Sequence, residues 1–226
     1  MVPPQAPENV RDTVPARQRR KEARPQELLD AALELFVEKG FAATRAEEVA
    51  ARAGVSKGTL YLYYPSKEDL LKAVILRNIS HEIAEGVGIV AAHEGSAAEL
   101  LQLVLHEWWR RFGETPASGI CKLMMSEVRN FPDIGRFFAA EVIEPMHALL
   151  GSVLQRGIER GEFRPLPIPQ VVQLLMAPML FIVMHKHSFG ACEGVELGVD
   201  PTRLIDTQVD IVLQGIALAP ATKGRR

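Results

Sequence analysis

Residues 53–68 read Ala53-Gly54-Val55-Ser56-Lys57-Gly58-Thr59-Leu60-Tyr61-Leu62-Tyr63-Tyr64-Pro65-Ser66-Lys67-Glu68. They spell a turn, a very short helix and a stop. Gly54 lacks the Cβ that would clash in the left-handed conformation ending a helix. Ser56 suits the N-cap of the next helix, because its hydroxyl can accept from an otherwise unpaired amide. Pro65 limits that helix to about two turns, since the residue before a proline is pushed out of helical geometry. Ser66 is placed to cap a further helix, with Asp69 three residues on. From Gly54 to Lys67 there are two positive charges and no negative one, in a chain of net charge −2. A short cationic helix rich in Tyr and Thr suits phosphates and base edges, although the same composition fits a solvated corner between helices.

Upstream, the spacing of Leu28, Leu29, Ala32, Leu35 and Phe36 predicts a helix over 25–39, with Pro25 at its first position and Gly40 ending it. Thr44 then reads as the cap of a second helix, with Glu47 completing a capping box. Val49, Ala50 and Ala53 face inward, and the helix stops at Gly54. Helix, turn and short helix in this order make a helix-turn-helix, whose second member enters the major groove. Residues 1–16 hold four prolines and read as a disordered tail, followed by the basic cluster Arg17, Arg19, Arg20, Lys21 and Arg24. The expected division is a disordered basic tail over 1–23, a DNA-binding head over 24–70, a body over 71–218 and a tail over 219–226.

Downstream, a long helix is expected from Ser66 to about residue 93, able to bend or fray at Gly86 and Gly88. Further helices are expected over 96–112, 117–130 and 134–160, the last kinked or restarted at Pro145. Pro165, Pro167 and Pro169 make a stiff link. An apolar helix over 169–189, with Pro178 inside, and a last helix over 201–218 complete the chain. No sustained period-2 alternation occurs, so the fold class is all-α.

The chain has 226 residues, 47% of them hydrophobic but only 6% aromatic. That is enough for a sizeable helical core. No apolar run reaches the roughly 18–20 residues of a membrane span, and no signal-type segment opens the chain, so no membrane partner and a cytoplasmic location are expected. Cys121 and Cys192 are far apart, and a disulfide framework is not indicated. Residues 17–67 carry ten Lys/Arg against seven Asp/Glu, whereas 68–226 carry fifteen against nineteen. A surplus of positive charge at one end points to a polyanion there.

The residues 44–68 resemble the DNA-binding domain of the TetR family of bacterial transcriptional regulators. The resemblance is carried by Gly54-Val55-Ser56-Lys57-Gly58-Thr59-Leu60-Tyr61, by Tyr64-Pro65-Ser66-Lys67-Glu68, and by Ala31-Ala32-Leu33-Glu34-Leu35-Phe36 with Gly40-Phe41. Residues 130–134 and 157–163 look like the C-terminal domain of its AcrR-type subgroup. The resemblance implies a three-helix DNA-binding head and a larger helical body for ligand binding and dimerisation, about nine helices in all. It implies a homodimer formed through about 169–189 and 201–218, and a double-stranded DNA operator as partner. Carried over by position, Lys57, Thr59 and Leu62 meet bases or nearby phosphates, Tyr61, Tyr63 and Lys67 anchor phosphates, and Thr44 and Arg45 offer amides and charge to a phosphate. Gly58 permits close approach to DNA, while Leu60 and Tyr64 pack inward. Leu62 departs from the polar or aromatic side chain common in the family and suits a thymine methyl. Lys67→Ala is expected to weaken binding to all sequences and to reduce the salt slope by about one.

The resemblance further implies a cavity for a small hydrophobic effector. His106, Trp109, Phe112, Met124, Met125, Phe137, Met176, Met179 and His185 are its candidate lining, since methionines suit an adaptable apolar pocket. His185 and His187 point to different faces of a helix and make poor co-ligands. The chain has no His-Glu-x-x-His, Gly-x-Ser-x-Gly or Cys-x-x-Cys. No metal, cofactor or catalytic activity is expected. The leading reading is a repressor released by its effector, the alternative a ligand-independent or architectural DNA-binding protein.

Overall fold

The computed structural model describes residues 16–195 and 198–217, with side chains from residue 24 onward. Regular structure there is helical, apart from one bridge between Phe163 and Ala217. α1 (Ala16–Lys39), α2 (Ala46–Arg52) and α3 (Lys57–Tyr63) form the head. α4 (Lys67–Ile75) continues through a π turn, Leu76–Ser80, into α5 (His81–Ala92), which enters the body. α6 (Ala97–Trp108) ends in a π turn, Trp109–Gly113, and a 3₁₀ turn, Pro116–Ser118, leads to α7 (Gly119–Glu127). α8 (Pro132–Phe138) passes through a third π turn, Ala139–Ile143, into α9 (Glu144–Glu159). α10 (Ile168–Lys186) and α11 (Pro201–Ile216) close the body. Counting π-joined segments as one, the described residues hold nine helical rods.

The stop signals act as the residue types dictate. Gly40, Gly54 and Gly161 all have positive φ, at 90°, 65° and 71°. Ser56 Oγ accepts from Thr59 N at 3.1 Å, and Ser66 Oγ from Asp69 N at 3.0 Å. Leu28, Ala32, Leu60, Leu70 and Val74 are fully buried and knit α1, α3 and α4 into one small core. That core joins the body through Phe41, whose ring meets Phe131 edge-on at 4.8 Å.

Four expectations are corrected. α1 begins at Ala16 and carries Pro25 inside it, so residues 16–23 are helix rather than disordered tail. Those residues are almost all strong helix formers, which outweighs the backbone bond that Pro25 cannot make. Residues 1–15 of the expected N-terminal tail, the expected C-terminal tail over 219–226, and Leu218, where the last helix was expected to end, lie outside the described residues. The cap of α2 is Arg45, whose N–H donates to Glu48 Oε2 at 3.0 Å. Thr44 and Glu47 do not form the box, because Thr44 is turned inward. The long helix is interrupted by the π turn Leu76–Ser80, and Gly86 lets α5 approach α9: a Cβ there would meet Leu149 at 2.9 Å.

Two interior prolines have their freed carbonyls satisfied across the fold. Pro178 has no N–H for the carbonyl of Leu174. Gln208 Nε2 from α11 reaches Leu174 O at 3.3 Å and Leu175 O at 2.6 Å. Pro145, near the start of α9, likewise frees Glu141 O, which accepts from Ser80 Oγ at 3.1 Å. The segments Pro132–Glu159 and Ile168–Ala191 are long and apolar enough to cross a bilayer by length and composition alone, unlike the expectation from apolar runs. Much of their apolar surface goes instead to the core, including Leu150, Val153, Leu175 and Ile182.

Candidate DNA interface and effector cavity

On α3, Lys57, Gly58, Tyr61 and Leu62 occupy positions i, i+1, i+4 and i+5 and share one side of the helix. All four are exposed, Leu62 at 84%. The opposite side carries Leu60, fully buried, while Tyr64 is half-buried against the core. A Cβ on Gly58 would meet only Ser56 Oγ, at 3.8 Å. Nothing among the described residues requires glycine there. Lys57 is ion-paired with the exposed carboxylate of Glu47 and lies 5.8 Å from the Tyr61 ring. The hydrogen bond from Lys57 holds the Glu47 carboxyl below the usual range and raises the lysine in return. Arg45, exposed at the start of α2, flanks the same surface.

Three of the expected contact residues are engaged elsewhere. Thr44 is 1% exposed, and its hydroxyl reaches Gly40 O at 2.8 Å and Leu35 O at 3.1 Å. Lys67 Nζ donates to Phe41 O (2.8 Å), Thr44 O (3.0 Å) and Ala42 O (3.4 Å), and sits 4.4 Å from the Phe41 ring centre. Its three donors therefore close the α1–α2 turn rather than face outward. Thr59 is half-buried, its hydroxyl 2.9 Å from Ser56 Oγ. Tyr63 is half-buried against the core at the flank of the exposed side. The Arg24 guanidinium donates to Gly54 O at 3.3 Å, pinning α1 to the turn before α3.

In the body, a cavity of about 360 Å³ lies among α6, α7, α9 and α10. Of the nine expected lining residues it gathers Phe112, Met124, Met125 and Met176. The others lie elsewhere. His106 is 2.8 Å from Asp206 and ties α6 to α11. Phe137 lies beneath the Lys72 ammonium at 5.7 Å. Met179 is in the core. Trp109 and His185 line a separate open cleft with Lys186 and Asp200, because adjacent positions on a helix face different ways. Spacing missed Trp108, Cys121, Met146, His147 and Gln173, which belong to the cavity. Burial pushes the Cys121 thiol up to about 12.

Each π turn supplies the cavity with a side chain: Ile79, Phe112, and the pair Val142 and Ile143. A π turn widens the helix and re-aims its side chains, and such turns concentrate at functional sites. Asn78 Nδ2 donates to Val74 O at 2.8 Å within the first of them. At one end the cavity shares Trp108 and Met146 with a gap of about 30 Å³ bounded by Glu82, Glu107 and Arg111. Hydrogen bonds from Arg110 and Arg111 hold the Glu107 carboxyl at about 2.

Helix α7 touches both the cavity and the α1–α2 turn of the head. Met124, Met125 and Val128, at its C-terminal end, line the cavity. Glu127 Oε1 accepts from Ala42 N at 3.3 Å, and Phe131, just beyond, packs on Phe41.

Comparison with known proteins agrees with both halves. The family model for bacterial regulatory proteins of the tetR family matches residues 28–74. The model for the tetracyclin repressor-like C-terminal domain matches residues 91–189. The chain is 30% identical over 145 residues to the HTH-type transcriptional repressor KstR2 of Rhodococcus jostii, covering 64% of this chain and 70% of that protein. A transcriptional regulator from Saccharomonospora viridis, solved in complex with choline, superposes with a TM-score of 0.72 at 18% identity, over 88% of this chain and all of that one. The transcriptional regulator FadR from Bacillus subtilis, solved in complex with stearoyl-CoA, superposes with a TM-score of 0.63 at 21% identity, over 84% of this chain and 98% of that one. A matched helix-turn-helix head, a matched helical body and a curated relative aligned over most of its length place this chain in the TetR family of DNA-binding transcriptional regulators.

Proposed function

We propose that the protein is a cytoplasmic repressor that binds a palindromic operator as a homodimer and releases it when a small apolar molecule enters the body cavity. The observation that carries the DNA-reading part is the exposed side of α3, where Lys57, Gly58, Tyr61 and Leu62 stand together and glycine has no intramolecular reason to be glycine. Lys57 and Arg45 meet phosphates, Tyr61 and Tyr63 flank them, and Leu62 presents an apolar surface to a thymine methyl. Thr59 contributes through its place in the Ser56 cap, and Thr44 and Lys67 by holding the α1–α2 turn.

Dimerisation is assigned to the outer stripe of α10 and α11. Leu174 and Phe181 on α10 and Ile211 on α11 are each about 60% exposed, an apolar patch that a second copy would cover. The cavity reaches the head through α7, because Met124 and Val128 line it while Glu127 and Phe131 hold the turn carrying Ala42 and Phe41. A ligand that displaces α7 shifts the head relative to the dimer axis. The relative KstR2 is itself a repressor by name, and two structural neighbours were solved with small molecules.

The test is selection of bound fragments from the source genome, followed by footprinting with purified protein. The expected result is a protected site with dyad symmetry, half-site centres about 34 Å apart. Failure to bind any duplex at low ionic strength sinks the reading. Binding that no small molecule alters leaves a ligand-independent DNA-binding protein.

A further inference from the structure

We infer that the body cavity takes an apolar molecule bearing one uncharged hydrogen-bonding group, a hydroxyl or a carbonyl, held by the His147–Gln173 pair. The inference rests on the effector reading and specifies its ligand. Among the described residues, the cavity wall holds no Asp, Glu, Lys or Arg. Its strongly polar side chains are His147, from α9, and Gln173, from α10, with their Nε2 atoms 3.2 Å apart. Gln173 donates from its amide, so His147 Nε2 accepts and Nδ1 carries the ring proton. The pair thus keeps two donors, His147 Nδ1–H and the second N–H of the Gln173 amide, and one acceptor, Gln173 Oε1. A hydroxyl can use a donor and the acceptor, and a carbonyl can use a donor.

A free carboxylate fits neither end. At the His147–Gln173 end, where Gln173 is exposed, no Lys or Arg among the described residues stands in the wall to pair with it. At the far end, beyond Trp108 and Met146, it would approach Glu82 and Glu107. The guanidinium groups there are already engaged: Arg110 and Arg111 donate to Glu107, and Arg111 also lies 3.5 Å from Glu82. About 360 Å³ is near the lower limit for small-molecule sites, so the body of the ligand is a single chain or a compact ring system.

The experiment titrates the full chain with 1-decanol, methyl decanoate and decanoate at pH 8. Binding is followed by tryptophan fluorescence, since Trp108 lines the cavity, and by thermal shift. The two uncharged ligands should bind at least about tenfold tighter than the carboxylate. Gln173→Leu and His147→Phe should each weaken 1-decanol by about 2- to 10-fold, with circular dichroism melts confirming that both variants fold. Decanoate binding as tightly as the alcohol, or 1-decanol binding both folded variants as it binds the parent, overturns the assignment of the head group. If none of the three binds while the protein still binds its operator, this inference fails and the operator-binding reading stands.

Discussion

The ammonium of Lys67 closes the α1–α2 turn through three carbonyls, so its worth is structural. Lys67→Ala should lower stability by about 1–3 kcal/mol, the range for charged hydrogen bonds, and leave the salt slope of operator binding unchanged. Urea melts and isotherms at several salt concentrations check both halves, and a slope reduced by one would return Lys67 to the phosphate-contacting set. Gly58 behaves in the opposite way. Gly58→Ala meets only an ordinary contact with Ser56 Oγ among the described residues and should stabilise the chain by about 0.4–1 kcal/mol, yet weaken operator binding. Unimpaired binding would show that DNA does not approach that position. His187 is neutral at ordinary pH because burial, with the charges of Lys186 and Lys122, lowers it from 6.5 to about 4. Between those values the unfolded chain binds more protons than the native one. Stability from this group is therefore complete above about 6.5 and falls as pH drops toward 4. Denaturation at pH 7.5 and pH 5 should show a smaller difference for His187→Gln than for the parent.

At the scale of elements, close helix approach rests on a few bare positions. A Cβ on Gly157 would lie 2.1 Å from the Phe163 ring, against the chain that turns back after α9. Gly157→Ala should cost about 1–3 kcal/mol by overpacking. Gly88, with nothing within 4 Å, should accept alanine with a gain of up to about 1 kcal/mol. Chemical denaturation of the pair separates packing from helix propensity, and equal effects would contradict the geometry. The capped helices of the head were legible because each boundary rests on one local residue type: Gly54, Ser56, Pro65 and Ser66. The π turns at Leu76–Ser80, Trp109–Gly113 and Ala139–Ile143 were not, because no residue type marks them. They are stabilised from elsewhere, as Ser80 is by Glu141 O.

For the whole molecule, the proposed assembly rests on the exposed apolar stripe of α10 and α11. Phe181→Glu with Ile211→Glu should turn the dimer into a folded monomer and sharply weaken binding to a two-half-site operator. Light scattering after size exclusion, with operator titration, checks this. A double variant that remains dimeric would place the interface on another surface. Helices α6, α7 and α10 show why the cavity was only partly legible in the sequence. Met124, Met125 and Met176 were named for their chemistry and do meet in the cavity. Trp109 and His106 were named for theirs and face away, while the neighbouring Trp108 faces in.

Sequence alone determined the turn and α3: the boundaries at Gly54, Ser56, Pro65 and Ser66 are set by backbone preferences of single residues, and the inward and outward faces by a 3.6-residue period acting over a few turns. Only the tertiary structure decided which polar groups remain available. Thr44 and Lys67 look like DNA contacts in the chain and are drawn into the α1–α2 turn, because unpaired carbonyls there bind the nearest donors. It alone decided the cavity as well, since its wall comes from helices distant in sequence and turned by π segments that leave no local mark.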